Sequence, residues 1–348
     1  DVQCIPPLAR DAAELFVFQR TPSSIDVRNN HTLDQGQIET LGSGWQRKWR
    51  ENFATLQMAG AADEDFVKDG WTDISQRIRR RVIDELGKPD VEMTADLVAN
   101  AYLECDDEKM EEIRARVDEI VEDPATAQAL KPWYRQLCKR PCFHDEYLQA
   151  FNNPNVHLVD TDGKAVERIT EAGCVVAGTE YPLDCIVYAS GFEVGTEHTR
   201  RTGFDMTGID DVRLSERWAD GMRTLHGMHV HGFPNAFIVA FAQGGNLISN
   251  IPHNLVEGGQ TVAAIVRHAL DTGADEVETT AEAEDAWVEL LRSGGRTFGG
   301  NPDCTPGYYN NEGQPRSEEA LLGALGYPDG PPAFFDFIDR WRTSGDFD

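Results

Sequence analysis

Four consecutive apolar residues, Leu15-Phe16-Val17-Phe18, limit the folds open to this chain more than any other feature. A strand with one wet face alternates apolar with polar residues. An unbroken apolar run of strand composition belongs instead in a parallel sheet covered on both faces. Residues 3 to 13 carry Ile5, Leu8, Ala9 and Ala12, so the opening reads as helix then buried strand, the tail of a βαβ unit. Gln19-Arg20-Thr21-Pro22 ends the strand, because proline lacks the N–H that a ladder requires. Further strand-like runs lie at 156–159, 166–170, 174–176, 185–189 and 236–241. The last two meet glycines, in Ser190-Gly191-Phe192-Glu193 and Gln243-Gly244-Gly245-Asn246, where a missing Cβ admits a ligand or a neighbouring backbone. A helix is expected from about Asn254 to Ala269, capped near Gly273. Strand, turn and helix in succession mark the α/β class.

Residues 45 to about 133 break that pattern. Trp71, Ile74, Ile78, Val82 and Leu86 share one helical face before Gly87 and Pro89 stop it, and a second helix is expected from Thr94. Met110, Ile113, Val117 and Ile120 make a third stripe, which Asp123-Pro124 interrupts. We read these stripes as core and the block as an all-helical insertion. At about 150 residues per domain, 348 residues correspond to two domains.

Lys plus Arg number 32 against 60 Asp plus Glu, a net charge of −28. Such a chain repels phosphate backbones and anionic lipid, so neither nucleic acid nor a membrane surface is an expected partner. The longest apolar run, Ala236 to Ala242, is too short to span a bilayer. The chain opens Asp1-Val2-Gln3-Cys4 without an initiator Met, a basic region or an apolar leader, and it reads as a cut chain. Seven cysteines, at 4, 105, 138, 142, 174, 185 and 304, do not resemble a disulfide framework, so a reduced cytoplasmic protein is expected.

Two local groups could carry chemistry. Arg20-Thr21 follows the first strand, where an acidic residue would bind a dinucleotide's ribose 2′-hydroxyl and an arginine would accommodate a 2′-phosphate. Lys139-Arg140 is a dibasic pair in an acidic chain, suited to holding phosphate or steadying an anion. Taken alone, each reads by default as a solvated surface group. Cys138 with Cys142, and His226, His229 and His231, lack the four-ligand spacing of a structural zinc site, so no metal is expected. No Gly-x-Ser-x-Gly elbow is present to support a serine hydrolase.

Taken in order, Phe16-Val17-Phe18-Gln19-Arg20-Thr21-Pro22, Lys139-Arg140, the run from Asp184 to Glu193 and the run from Gln243 to Pro252 resemble the carboxyl-terminal part of a flavin-dependent Baeyer-Villiger monooxygenase, over roughly residues 1 to 312. Asn246 to Asn254 and Cys304 to Asn311 resemble the branch acting on large cyclic or steroid-like ketones. The resemblance implies an α/β fold with two Rossmann-like dinucleotide-binding domains, for FAD and NADPH, and a helical insertion. On that basis 1–44 would be the remainder of the NADPH domain, 45–138 the insertion, 139–190 returning strands of the NADPH domain, and 191–348 the rest of the FAD domain with a tail. It further implies a reaction of NADPH, O2 and a ketone that yields an ester or lactone, with the bond-making chemistry belonging to the cofactor.

Carried over by position, Arg140 looks like the catalytic arginine beside the flavin that stabilises the peroxide and the tetrahedral adduct. Lys139, Arg20 and Thr21, with Gln19 beside them, resemble the groups around the NADPH 2′-phosphate. Gly191, Phe192, Asn246 and Asn250 would face flavin or substrate, and Tyr308 falls near a tryptophan of many relatives that touches the nicotinamide nucleotide. The amino-terminal half of the family, with both glycine loops, is not in these 348 residues, so the chain is expected to be a fragment that binds FAD poorly by itself. The alternatives are a related N- or S-oxygenating flavin monooxygenase and a non-catalytic remnant.

Overall fold

The computed structural model describes residues 2–30, 32, 34–88, 91–191, 198–239, 242–245, 250–295, 304–315 and 317–347. Contacts gather the chain into two units, Asp1–Thr40 with Lys68–Phe192, and Leu41–Val67 with Glu193–Asp348.

In the first unit, β1 (Leu15–Gln19), β2 (Ile25–Asp26), β3 (Cys142–Phe143) and β4 (Val156–Asp160) form two parallel pairs. β1 runs beside β4 from Leu15 opposite Val156 to Gln19 opposite Asp160, and β2 runs beside β3. The apolar run does have two covered faces. Leu15 and Val17 pack on a core that includes Ile5, Val117, Phe151 and Val156. Phe16 and Phe18 lie 5.5 and 5.3 Å, ring to ring, from Tyr181. Tyr181 belongs to a small antiparallel sheet of β5 (Arg168–Ile169), β6 (Gly173–Val176) and β7 (Thr179–Pro182). Leu15 to Phe18 are nonetheless only half-buried, because among the described residues β1 has a single strand neighbour.

The expected helix before Gly87 spans Gly70–Leu86, with the Asp69 carboxylate accepting from the Trp71 N–H at 2.9 Å. The next two apolar stripes are one helix, Ala95–Ile120, capped by Thr94, with Cys105, Met110, Ile113 and Val117 buried. From Cys105 onward the buried positions recur at helical spacing, so one helix carries through where spacing alone had implied a break. Asp123 caps the following helix, Pro124–Leu130.

Lys109 is buried on that long helix, and its ammonium bridges Asp26 on β2 and, at 3.1 Å, Asp73 on the helix Gly70–Leu86. Burial lowers the Lys109 pKa, but the bonds and charges of Asp26 and Asp73 outweigh that effect and hold it above the ordinary lysine value. Removing one member of such a group strands the others. Lys109→Ala should therefore cost about 3–5 kcal/mol in chemical unfolding. Lys109→Ala with Asp26→Asn and Asp73→Asn should recover most of the loss.

In the second unit, the helix Trp45–Gln57, grouped by sequence with the insertion, instead buries Ala54 against Trp287, Leu291, Phe334, Phe335 and Ile338. The expected helix near 254–269 runs Ile251–Thr272 and stops at Gly273, whose φ of 72° is open to glycine at no steric cost. Two further helices that sequence reading missed, Ala281–Gly294 and Gly330–Ser344, supply most of that core.

Three expectations are corrected. Residues 185–189 form no strand, and neither do the described residues 236–239. Val187 and Tyr188 are 57% and 74% exposed, and among the described residues no neighbouring strand meets the backbone groups of 185–189; composition cannot make a ladder without a partner. The all-thiol reading also fails in part: Cys4, Cys105, Cys142, Cys174 and Cys185 are free, whereas Cys138 is disulfide-bonded. No helix among the described residues is long and apolar enough to cross a membrane.

Candidate functional site

The carboxyl end of β1 delivers exposed Arg20 and half-buried Thr21 to the rim of the parallel pair, where α/β sheets bind their ligands. A buried tyrosine, Tyr134, fixes the turn that follows. Its hydroxyl donates to the Pro22 carbonyl at 2.8 Å and accepts from the Ser24 N–H at 3.0 Å. Burial raises the Tyr134 pKa, so the hydroxyl stays protonated and keeps its donor. The Lys139 ammonium lies over the same ring, 5.7 Å from its centroid. Tyr134 thus links the Arg20-Thr21 turn to the dibasic pair, a connection no spacing rule reveals across more than a hundred residues.

The short turn Gln136–Cys138 sets the direction of the pair. Buried Asp106 anchors it, accepting from the Gln136 N–H at 2.9 Å and from Arg135 at 3.1 Å. Burial raises the Asp106 pKa, and the Gln136 and Arg135 hydrogen bonds only partly offset that rise. After the pair, β3 is locked to β2 by the Cys142 N–H to the Ser24 carbonyl and the His144 N–H to the Asp26 carbonyl. Arg116 donates to the Ile25 and His144 carbonyls at 3.0 and 3.1 Å, stitching the same two strands. Arg140 therefore projects from a stiff frame. It is exposed, it sits over the Trp71 ring at 5.4 Å, and it has no ion-pair partner among the described residues. Chemically, this rim offers positive charge to an anion.

Other expected site residues take different places. Gln19 is buried and its amide donates to the Ala129 carbonyl at 2.9 Å, so that group ties β1 to the helix Pro124–Leu130. Gly191 is exposed with φ of 98°. Asn250 caps the helix Ile251–Thr272 through the His253 N–H at 3.4 Å. Phe192 and Asn246 lie outside the described residues; Tyr308 opens a 3-10 turn, Tyr308–Gly313, and its side chain is likewise outside them. The three histidines do not converge on a ligand. His226 is enclosed by Trp287, Phe337 and Trp341, His229 lies by Phe237, and the His231 N–H donates to Glu284.

No family model matches the chain. Neopentalenolactone D synthase of Streptomyces avermitilis is 46% identical over 348 residues, covering 99% of this chain and 57% of that protein. A Baeyer-Villiger monooxygenase of Stachybotrys chlorohalonatus is 42% identical over 345 residues, covering 99% of this chain and 54% of that protein. Polycyclic ketone monooxygenase from the thermophilic fungus Thermothelomyces thermophila is 36% identical and superposes with a TM-score of 0.83, over 99% of this chain and 56% of that one. Over nearly its whole length the chain is similar to Baeyer-Villiger monooxygenases. It spans a little over half the length of these relatives. The α/β reading of the fold agrees with this structural neighbour.

Proposed function

We propose that the chain is the carboxyl-terminal part of an NADPH- and FAD-dependent monooxygenase that inserts one oxygen atom from O2 beside a ketone carbonyl, giving an ester or lactone. The observation that carries this reading is Arg140, an exposed guanidinium held on a stiff frame with no carboxylate paired to it among the described residues, in a chain with 60 acidic residues. Bound FAD, reduced by NADPH, would supply the oxygen transfer. The chain's own part is to bind and to place charge. Lys139, Arg20 and Thr21 fit a 2′-phosphate by type, two cations and a hydroxyl, and Tyr134 ties the turn after Thr21 while carrying Lys139 on its ring. Arg140 fits an oxygen-derived anion, because a guanidinium remains charged and donates several hydrogen bonds in one plane. In this reading 1–44 and 139–190 belong to the NADPH domain, 191–348 to the FAD domain, and the enzyme works in the cytoplasm.

The substrate we infer is a large polycyclic ketone. That inference is supported by the 36% identity to an enzyme named for polycyclic ketones. The complete polypeptide, purified with its flavin and given a polycyclic ketone, NADPH and oxygen-18 gas, should return an ester carrying one labelled oxygen. A colourless protein, or an unlabelled product, would reject the reading. Arg20→Ala in that polypeptide should raise the NADPH KM about ten-fold or more, the loss of one charge-assisted contact of about 1.5–3 kcal/mol, with little change for NADH. Equal effects on both nucleotides would show that Arg20 does not read the 2′-phosphate.

A further inference from the structure

Charge placement raises a question that the family position of Arg140 leaves open, namely what keeps a flexible arginine aimed. A carboxylate would do so at the cost of neutralising it and competing with the anion it is to meet. An aromatic face holds a cation without cancelling its charge. Trp71 presents such a face, with the Arg140 guanidinium carbon 5.4 Å from the ring centroid.

The indole is itself fixed. The main-chain N–H of Trp71 donates to the Asp69 carboxylate, which is held in turn by Arg28 at 2.9 Å. Its ring lies 5.5 Å from the Phe143 ring, on the strand that directly follows Arg140. Phe143 reaches this position because residue 70 is glycine: a Cβ there would come within 2.0 Å of the Phe143 ring, far inside contact distance. The start of the helix Gly70–Leu86 and the start of β3 are thereby docked together, and the guanidinium rests on the tryptophan between them.

We propose that Trp71 is a positioning residue for Arg140, holding the guanidinium by a cation–π contact that leaves its charge available. The inference rests on the reading of Arg140 given above, and its test separates the two. In the complete, flavin-loaded polypeptide, Trp71→Leu and Trp71→Met should lower the ester formed per NADPH oxidised by about five-fold, with KM values for NADPH and ketone little changed. Trp71→Phe should restore most of it, because the ring face is what matters. In flavin-free protein, phenylglyoxal labelling of Arg140, read by peptide mass spectrometry, should accelerate in the Leu and Met variants and not in Phe. Wild-type coupling and labelling in both aliphatic variants overturns the proposal, and so does a Phe variant as impaired as they are. Ester formation that survives Arg140→Ala would instead overturn the role of Arg140, whatever labelling shows for the Trp71 contact.

Discussion

Arg140→Ala, in the complete polypeptide with FAD bound, is expected to lower ester formation by about 10²- to 10³-fold while NADPH continues to be oxidised. That size is typical of removing one preorganised donor from a developing oxyanion, where the surrounding site excludes water and the donor has no reorganisation left to undergo. The split between the two readouts follows from the structure. Of the residues offered to the nucleotide, Lys139 lies on Tyr134, which also ties the turn after Arg20 and Thr21, whereas Arg140 stands on Trp71, so deleting Arg140 is expected to leave nucleotide binding in place. NADPH oxidation measured against ester by gas chromatography checks this. Equal loss of both would mean that Arg140 holds the nucleotide and does not act on oxygen. Arg140→Lys should recover little, since an ammonium can neither donate in a plane nor spread over an indole as a guanidinium does.

The second large effect is on stability in acid. His226 is enclosed by Trp287 and Trp341, each at 4.8 Å, and by Phe337 at 5.2 Å, with its Nδ1 buried and unpartnered. Burial, with a smaller contribution from neighbouring His229, pushes its pKa down to about 3, and burial alone pushes His229 down to about 4. Both histidines are neutral in the folded and unfolded chain above pH 6.5. Below it the unfolded chain binds protons that the folded one refuses, so stability falls as pH drops from 6.5 toward 4. At pH 4 the loss is about 3 kcal/mol per histidine. Glu257 cannot mimic this. His253 and Arg342 outweigh the effect of its burial and bring its pKa from 4.5 to about 2, so its contribution is lost only below pH 4.5. The thermal midpoint should therefore decline between pH 6.5 and 4.5, and His226→Asn should shallow that decline. Asparagine suits the test because residue 226 has φ of 56°, a region asparagine tolerates. An unchanged slope in the variant would show that the buried ring is not the titrating group.

The same two sites show how far local pattern reaches. The apolar run of β1, the helix start at Thr94, the break at Asp123-Pro124 and the stop at Gly273 were legible because each depends on residues a few positions apart. So were Arg20-Thr21 and Lys139-Arg140 as candidate cations, since residue type alone limits their chemistry. Trp71 reads in sequence as one more member of a core stripe, and Tyr134 as nothing in particular. Only when the helix Gly70–Leu86 meets β3 does that indole come under Arg140, and only when the chain returns past β1 does the tyrosine hydroxyl reach Pro22 and Ser24. Gln19 shows the converse, a residue beside the motif whose amide was taken up by Ala129. Residues 185–189 have strand composition and no strand, because a ladder is a property of two segments and composition describes one. Sequence by itself determined the α/β class, the helix boundaries set by caps, and which side chains carry fixed charge. Tertiary structure alone decided which charges are paired, which are held on an aromatic face and which rings exclude water, since each depends on contacts between segments that are distant along the chain.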